Sequence, residues 1–255
     1  MSTKAKRDGT QAEVALAYWL NNWFPDSLDG DPTVFRISSE GSKDRGDIGG
    51  LRRTVIECKR TGNRAPQYSS LLHNAQWKAR NGNAWYWFLI HKPYGVGTSL
   101  EAVDNWDALM TVKDMEHSFG LEPLGHKTPF TQVYKEADWD NWETNETATL
   151  DYRITRTIGE TASIHSWIIR ATFVSRIQLI DIERVHVVNL LDEQASLAEE
   201  LVVPIVISER KGSPPEDWYA YTLAWGAAKL LETVGVLPQD TKEYDVPEPM
   251  KRSDQ

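Results

Sequence analysis

Asp47-Ile48-Gly49-Gly50-Leu51-Arg52-Arg53-Thr54-Val55-Ile56-Glu57-Cys58-Lys59 is the stretch on which the reading of the N-terminal half turns. An acidic residue precedes a Gly-Gly turn, and a short apolar strand then ends in Glu-x-Lys. Side chains alternate along a strand, so Glu57 and Lys59 share one face while Ile56 and Cys58 point into a core. If the turn folds Asp47 back beside the strand, two carboxylates and an ammonium meet at one spot. Paired carboxylates suit Mg²⁺, which takes hard oxygen ligands. A lysine beside them holds or activates a nucleophilic water, or stabilises charge on a phosphate. On a solvated strand, the same triplet is no more than a cross-strand ion pair.

Composition narrows the classes. A chain of 255 residues has room for one large or two small domains. Its 40% hydrophobic and 25% charged content is that of a globular protein. No apolar run approaches the roughly 20 residues that span a bilayer. The polar, basic segment Met1 to Gln11 lacks the apolar core of a secretory signal, so a cytoplasmic location is expected. The single cysteine, Cys58, excludes an internal disulfide framework and reads as a small core residue. Net charge is -9, but its distribution is uneven. Residues 1–100 carry 14 Lys and Arg against 9 Asp and Glu, whereas residues 101–255 carry 14 against 28. The basic half holds the candidate site, where its field attracts a phosphate backbone.

Working outward, Thr10 to Phe24 has apolar residues near a 3.6-residue period, with Thr10 as N-cap and Glu13 completing a capping box. Val34 to Ile37 reads as extended, and residues 39–46 as a polar loop carrying Lys43 and Arg45. A second basic loop, Arg60 to Ser69, contains Arg64. Ser70 to Asn81 reads as a helix with Leu71, Leu72, Ala75 and Ala79 on one side and Gln76, Lys78 and Arg80 on the others. Ala84 to Ile90 is a strand buried on both faces, and Trp106 to Val112 another strand. This order predicts an α/β unit around a central mixed sheet.

Residues 9–112 resemble the PD-(D/E)XK nuclease superfamily, and within it the archaeal-type Holliday junction resolvases. The matching features are Glu13 near the start of the first helix and Arg36-Ile37-Ser38-Ser39-Glu40-Gly41-Ser42 after a strand. Asp47 then opens a hairpin, Ile56-Glu57-Cys58-Lys59 closes a strand, and a helix, turn and buried strand follow from Gln76 to Ile90. The resemblance implies a restriction-endonuclease-like core, a central mixed β-sheet flanked by helices, with an added α+β region. It implies Mg²⁺, with Mn²⁺ able to substitute, held by Asp47, Glu57, Glu13 and the Cys58 backbone carbonyl. Lys59 would assist the attacking water and Ser39 support the scissile phosphate. Gln76 matches the helix glutamine of recombination-type nucleases. Lys43, Arg45, Arg60 and Arg64 become candidate contacts to DNA, positioning a duplex without reading its sequence. Members of the resolvase family act as homodimers on four-way junctions, which makes DNA and a second copy the implied partners.

The remaining chain is less patterned. Glu136 to Thr147 reads as an acidic loop, and Leu150 to Thr155 as a half-buried strand. Apolar positions 164, 167, 168, 171 and 174 predict a helix over Ile164 to Val174. Residues 177–191 read as one or two strands and Asp192 to Leu201 as a helix. Val202 to Ile207 is an apolar strand, and Trp218 to Leu223 a strand running into a short helix. Pro238 to Gln255 is a charged, Pro-rich tail expected to be disordered. The organisation expected is therefore a core over 1–115, an accessory region over 116–237 and a tail over 238–255. The functional expectation is a metal-dependent endonuclease acting on branched DNA. Its alternatives are a nuclease of the same core acting on ends, flaps or specific sites, and a non-catalytic module binding DNA or protein.

Overall fold

The computed structural model describes residues 3–24, 34–37, 44–60, 67–119, 122–123, 149–158, 163–174, 191, 202–208, 212–214 and 217–236. Ser39, Lys43 and Arg64 lie outside these, as do the expected loop over 136–147, helix over 192–201 and tail over 238–255. So do the strands expected over 177–191, Leu191 excepted.

The N-terminal helix α1 spans Thr3–Trp23, so it begins well before Thr10 and no capping box forms there. Its apolar stripe Ala12, Leu16, Trp19 and Leu20 is buried. The Trp19 indole donates to Asp104 Oδ1 at 2.8 Å. The Asn21 side chain brackets Val34, donating to its carbonyl at 2.5 Å and accepting from its amide at 2.9 Å. That clamp aims the chain into strand β1 (Phe35–Arg36), which pairs antiparallel with β2 (Ile48–Gly49).

Strand β3 (Thr54–Arg60) is the hairpin's second arm, antiparallel to β2 and parallel to β4 (Tyr86–Lys92). A parallel neighbour needs a crossover, and helix α2 (Tyr68–Asn81) supplies it. Trp87 to Lys92 are all buried, as the continuous apolar run predicts. After helix α3 (Leu100–Asp104), β5 (Asp107–Thr111) runs antiparallel to β4 and leads into helix α4 (Val112–Phe119). The fold is thus α/β with a mixed open sheet flanked by helices.

The sheet does not stop at residue 115. Strands β6 (Glu122–Pro123), β7 (Thr149–Ile158), β8 (Ser163–Val174), β9 (Val202–Ser208) and β10 (Tyr219–Leu223) extend it. Among the described residues it has ten strands in the order β1-β2-β3-β4-β5-β10-β9-β8-β7-β6. The last of the described strands therefore lies between β5 and β9, and helix α5 (Ala224–Thr233) follows it.

One expectation is overturned here: Ser163–Val174 is a strand, not a helix. It pairs with β7 over ten residues and with β9 over seven. The three- and four-residue spacing of its apolar positions was outweighed by the β-branched and aromatic residues that make up most of it.

Buried polar residues join the N- and C-terminal parts. Asp107, 2% exposed, accepts from the Tyr68 hydroxyl at 2.9 Å and from the Tyr221 hydroxyl at 2.6 Å. His91 Nδ1 lies 3.0 Å from the same carboxylate. Tyr221 belongs to β10 and Tyr68 to α2, so this carboxylate ties the last strand to the crossover helix. Replacing Tyr221 by Phe removes a charge-assisted bond from a buried acid, an expected loss of about 1–3 kcal/mol. Urea unfolding should show a lower midpoint with unchanged slope; an unmoved midpoint would refute the coupling.

Candidate active site

The site begins with Gly46, at φ +107, a left-handed conformation that an L side chain rarely adopts. A Cβ there would lie 3.0 Å from the Ile56 carbonyl oxygen and 3.0 Å from Val55 Cγ1. This close approach lets the Asp47 amide donate to Ile56 O at 3.0 Å while Ile37 N donates to Asp47 O at 2.8 Å. The backbone of Asp47 is thereby held between β1 and β3. Its Oδ2 accepts from the Cys58 amide at 2.9 Å and from Lys59 Nζ at 2.9 Å.

Glu57 and Lys59 do leave β3 on one face, and Cys58 is buried on the other. Glu57 is not on a solvated face, being 1% exposed beneath α2. Its Oε1 is paired with Lys59, and its Oε2 accepts from Lys78 Nζ at 2.6 Å. Lys78 also reaches Asp44 Oδ2 at 2.8 Å and Asp47 Oδ1 at 3.8 Å. Three carboxylates and two ammoniums therefore interlock around the C-terminal half of β3. Lys78 was expected on an outer side of its helix, but it lies on the buried stripe with Leu72, Ala75 and Ala79. Three-residue spacing from Ala75 was the signal that marked it.

Burial raises the Glu57 pKa above its ordinary value, the Asp47 charge adds to the rise, and the two lysines oppose it. Burial works in the opposite sense on Lys59, but Asp47 and Glu57 outweigh it and raise its pKa overall. For Lys78, too, burial is outweighed, by hydrogen bonds to Asp44 and Glu57, and the net shift is upward. Both lysines are therefore ammoniums at neutral pH. Burial pushes the Cys58 thiol well up, so it is a core group and not a nucleophile.

The other sequence candidates are dispersed. Glu13, in the middle of α1, forms an ion pair with Arg36. Arg60 pairs with Asp8 of α1 and leaves β3 on the face opposite Glu57 and Lys59. Arg45 is half-buried near the site, two residues before Asp47. Gln76 donates to Asp114 Oδ2 at 2.7 Å, on α4, and takes no part in the carboxylate cluster.

Among the described residues, no three His, Cys, Asp or Glu side chains form a ready metal-ligand group. The donor chemistry nevertheless fits a hard divalent ion. Lys59 Nζ contacts Asp47 Oδ2 at 2.9 Å, Glu57 Oε1, and the Cys58 carbonyl oxygen at 3.1 Å. Three oxygens thus already converge on one cation, here the protein's own ammonium. Mg²⁺ is commonly held by one or two carboxylates with water and phosphate completing its shell, so two carboxylates and a carbonyl suffice. Glu13 is not among the converging groups.

Compared with known proteins, the chain matches no family model, no curated sequence and no solved structure. Among the described residues, no helix is long and apolar enough to cross a membrane.

Two substitutions probe this architecture. Gly46→Ala forces strain at a positive φ and a clash with backbone, so a destabilisation of about 1–3 kcal/mol is expected in chemical unfolding. Lys78→Met leaves Glu57 buried with one cation fewer. Breaking a buried pair costs about 3–5 kcal/mol, and because Lys59 still holds one oxygen the lower end is expected. Adding Glu57→Gln should recover part of that loss; strictly additive losses would show the two side chains are not coupled.

Proposed function

We propose that this protein is a Mg²⁺-dependent nuclease of the PD-(D/E)XK type, with a restriction-endonuclease-like core, cutting phosphodiester bonds in DNA. The observation that carries the reading is the convergence of Asp47 Oδ2, Glu57 Oε1 and Cys58 O on a single cationic atom. Ordinary surface ion pairs do not enlist a backbone carbonyl and a fully buried glutamate together. The location agrees, since ligands of open α/β sheets bind beyond the carboxyl ends of parallel strands, and Glu57 and Lys59 lie toward that end of β3.

Asp47, Glu57 and the Cys58 carbonyl would hold the metal, which when bound supplies Lewis-acid stabilisation of phosphate charge and an activated water. The chain's own residues do the rest. Lys78 holds Glu57 Oε2 in place and offsets part of the cost of its buried charge. With those oxygens held by a metal, Lys59, its side chain 32% exposed, would present its ammonium to the solvent side. There it neutralises a non-bridging phosphate oxygen or orients water. As an ammonium at neutral pH it would act as an electrostatic group and not as a general base. Arg45 beside the hairpin contributes to backbone attraction, weakening as salt rises. Action on branched DNA as a homodimer is the narrower form of this proposal and rests on the resolvase resemblance alone.

A specific observation favours a second reading. The five charged side chains satisfy one another without any ligand, as a purely structural ion cluster in a DNA-binding module would. A panel of junction, flap, linear and single-stranded DNAs separates the two. With Mg²⁺ or Mn²⁺ the wild type should cut at least one substrate. Glu57→Ala and Lys59→Ala should each lower the rate by about 100-fold or more, with binding in Ca²⁺ largely kept. Binding without any cutting across the panel would favour the non-catalytic module.

A further inference from the structure

A cavity lies on the flank of α2 opposite Lys78, away from the carboxylate cluster. It has a volume of about 500 Å³ and is lined by Gln76, Arg80, Trp85, Trp87, Asp114 and His117 among others. That volume falls in the range of small-molecule sites. Of the two lining tryptophans, Trp85 is 59% exposed and Trp87 is buried. The Arg53 guanidinium lies 3.8 Å from the Trp85 ring centroid and covers one of its faces. Arg53 itself has a positive φ of 53, so the tight turn before β3 sets this stack.

Polar groups inside the cavity are ordered as well. Gln76 Nε2 and Thr111 Oγ1 both donate to Asp114 Oδ2, at 2.7 Å each. Among the described residues, those bonds leave the Gln76 amide oxygen and Asp114 Oδ1 as acceptors for amino or imino groups of a ligand. Arg80 is exposed on the same flank of α2 and supplies a cation for a phosphate. A flat aromatic face, acceptors within and a cation at the rim form the recognition set for one unpaired nucleobase and its backbone. Bases stack on aromatic side chains and are read along their hydrogen-bonding edges.

We infer that this cavity receives an unpaired nucleobase of the same nucleic acid whose backbone lies at the Asp47–Glu57 site, an inference resting on the nuclease reading. Lys78 and the pair Gln76 and Arg80 leave opposite flanks of one helix. The two sites are thus separated by about one helix diameter, roughly 10–12 Å. A substrate with a single-stranded segment beside the cut would occupy both.

The test is fluorescence anisotropy of a labelled single-stranded oligonucleotide in EDTA, with an abasic oligomer of equal length as control. Trp85→Ala and Arg80→Ala should each weaken binding of the base-containing oligomer by about tenfold. Trp85→Phe should restore most of the loss, and the abasic oligomer should be insensitive to Trp85. Because Trp85 is exposed, the thermal midpoint of its variants should stay at the wild-type value. Wild-type binding by Trp85→Ala, equal weakness of Trp85→Phe, or equal Trp85 dependence with the abasic oligomer would each overturn the inference. Wild type that cuts duplex but binds no single strand sinks the base pocket alone. Trp85-dependent binding with no cleavage of any DNA instead keeps the pocket and sinks the nuclease reading.

Discussion

A carboxylate almost sealed from water has to be answered by positive charge, and the Glu57 side chain is answered twice. Lys59 holds one oxygen from the same strand, and Lys78 holds the other from the helix above. Removing a charge from water costs several kcal/mol, which is recovered only with good geometry and satisfied lone pairs. The requirement propagates outward. Lys59 must bend back along β3, which draws in Asp47, and Lys78 must face the sheet, which fixes the rotation of α2 about its axis. Asp44 completes the second ammonium's partners and pins the loop before the hairpin.

Fixing the rotation of α2 has consequences along its whole length. The same helix carries Tyr68 to the Asp107 carboxylate near its start and Lys78 to Glu57 near its end. Residues paired across the sheet share a face, so Lys59, His91 and Asp107 form one row beneath it. The two polar clusters therefore lie on the same face of the sheet under one helix. On the outer flank of that helix, Gln76 reaches across to Asp114 on α4. One element thus links the ionic centre, the buried Tyr–Asp–His group and the tryptophan-lined cavity.

The alternation of β3 made the shared face of Glu57 and Lys59 legible, and the hairpin that returns Asp47 was legible too, although its turn falls at Arg52–Arg53 and not at the Gly-Gly pair. Both are short-range facts set by strand period and turn chemistry. Lys78 was hidden because a lysine among apolar helix positions is ordinarily solvated, and only the buried Glu57 makes it an inward residue. The N-terminus of α1 was misplaced because Thr10 and Glu13 form a good cap in isolation, yet Gly9 is tolerated inside the helix. Ser163–Val174 was misread because its apolar spacing fits a helical period, and the deciding partner, β7, is a separate stretch of chain. The place of β10 beside β5 depends on contacts between distant residues, which no local pattern encodes.

That placement has a bearing on how the molecule is made. Tyr221 is 114 positions beyond the Asp107 it contacts, and its strand is inserted in the interior of the sheet. During translation at about 5–20 residues per second, β5 would wait on the order of 6–23 s for its neighbour to leave the ribosome. Until then its outer edge presents unpaired amides and carbonyls, a template for wrong partners. The nascent chain consequently spends its most adhesive interval with the N-terminal half already assembled and the middle of its sheet still open.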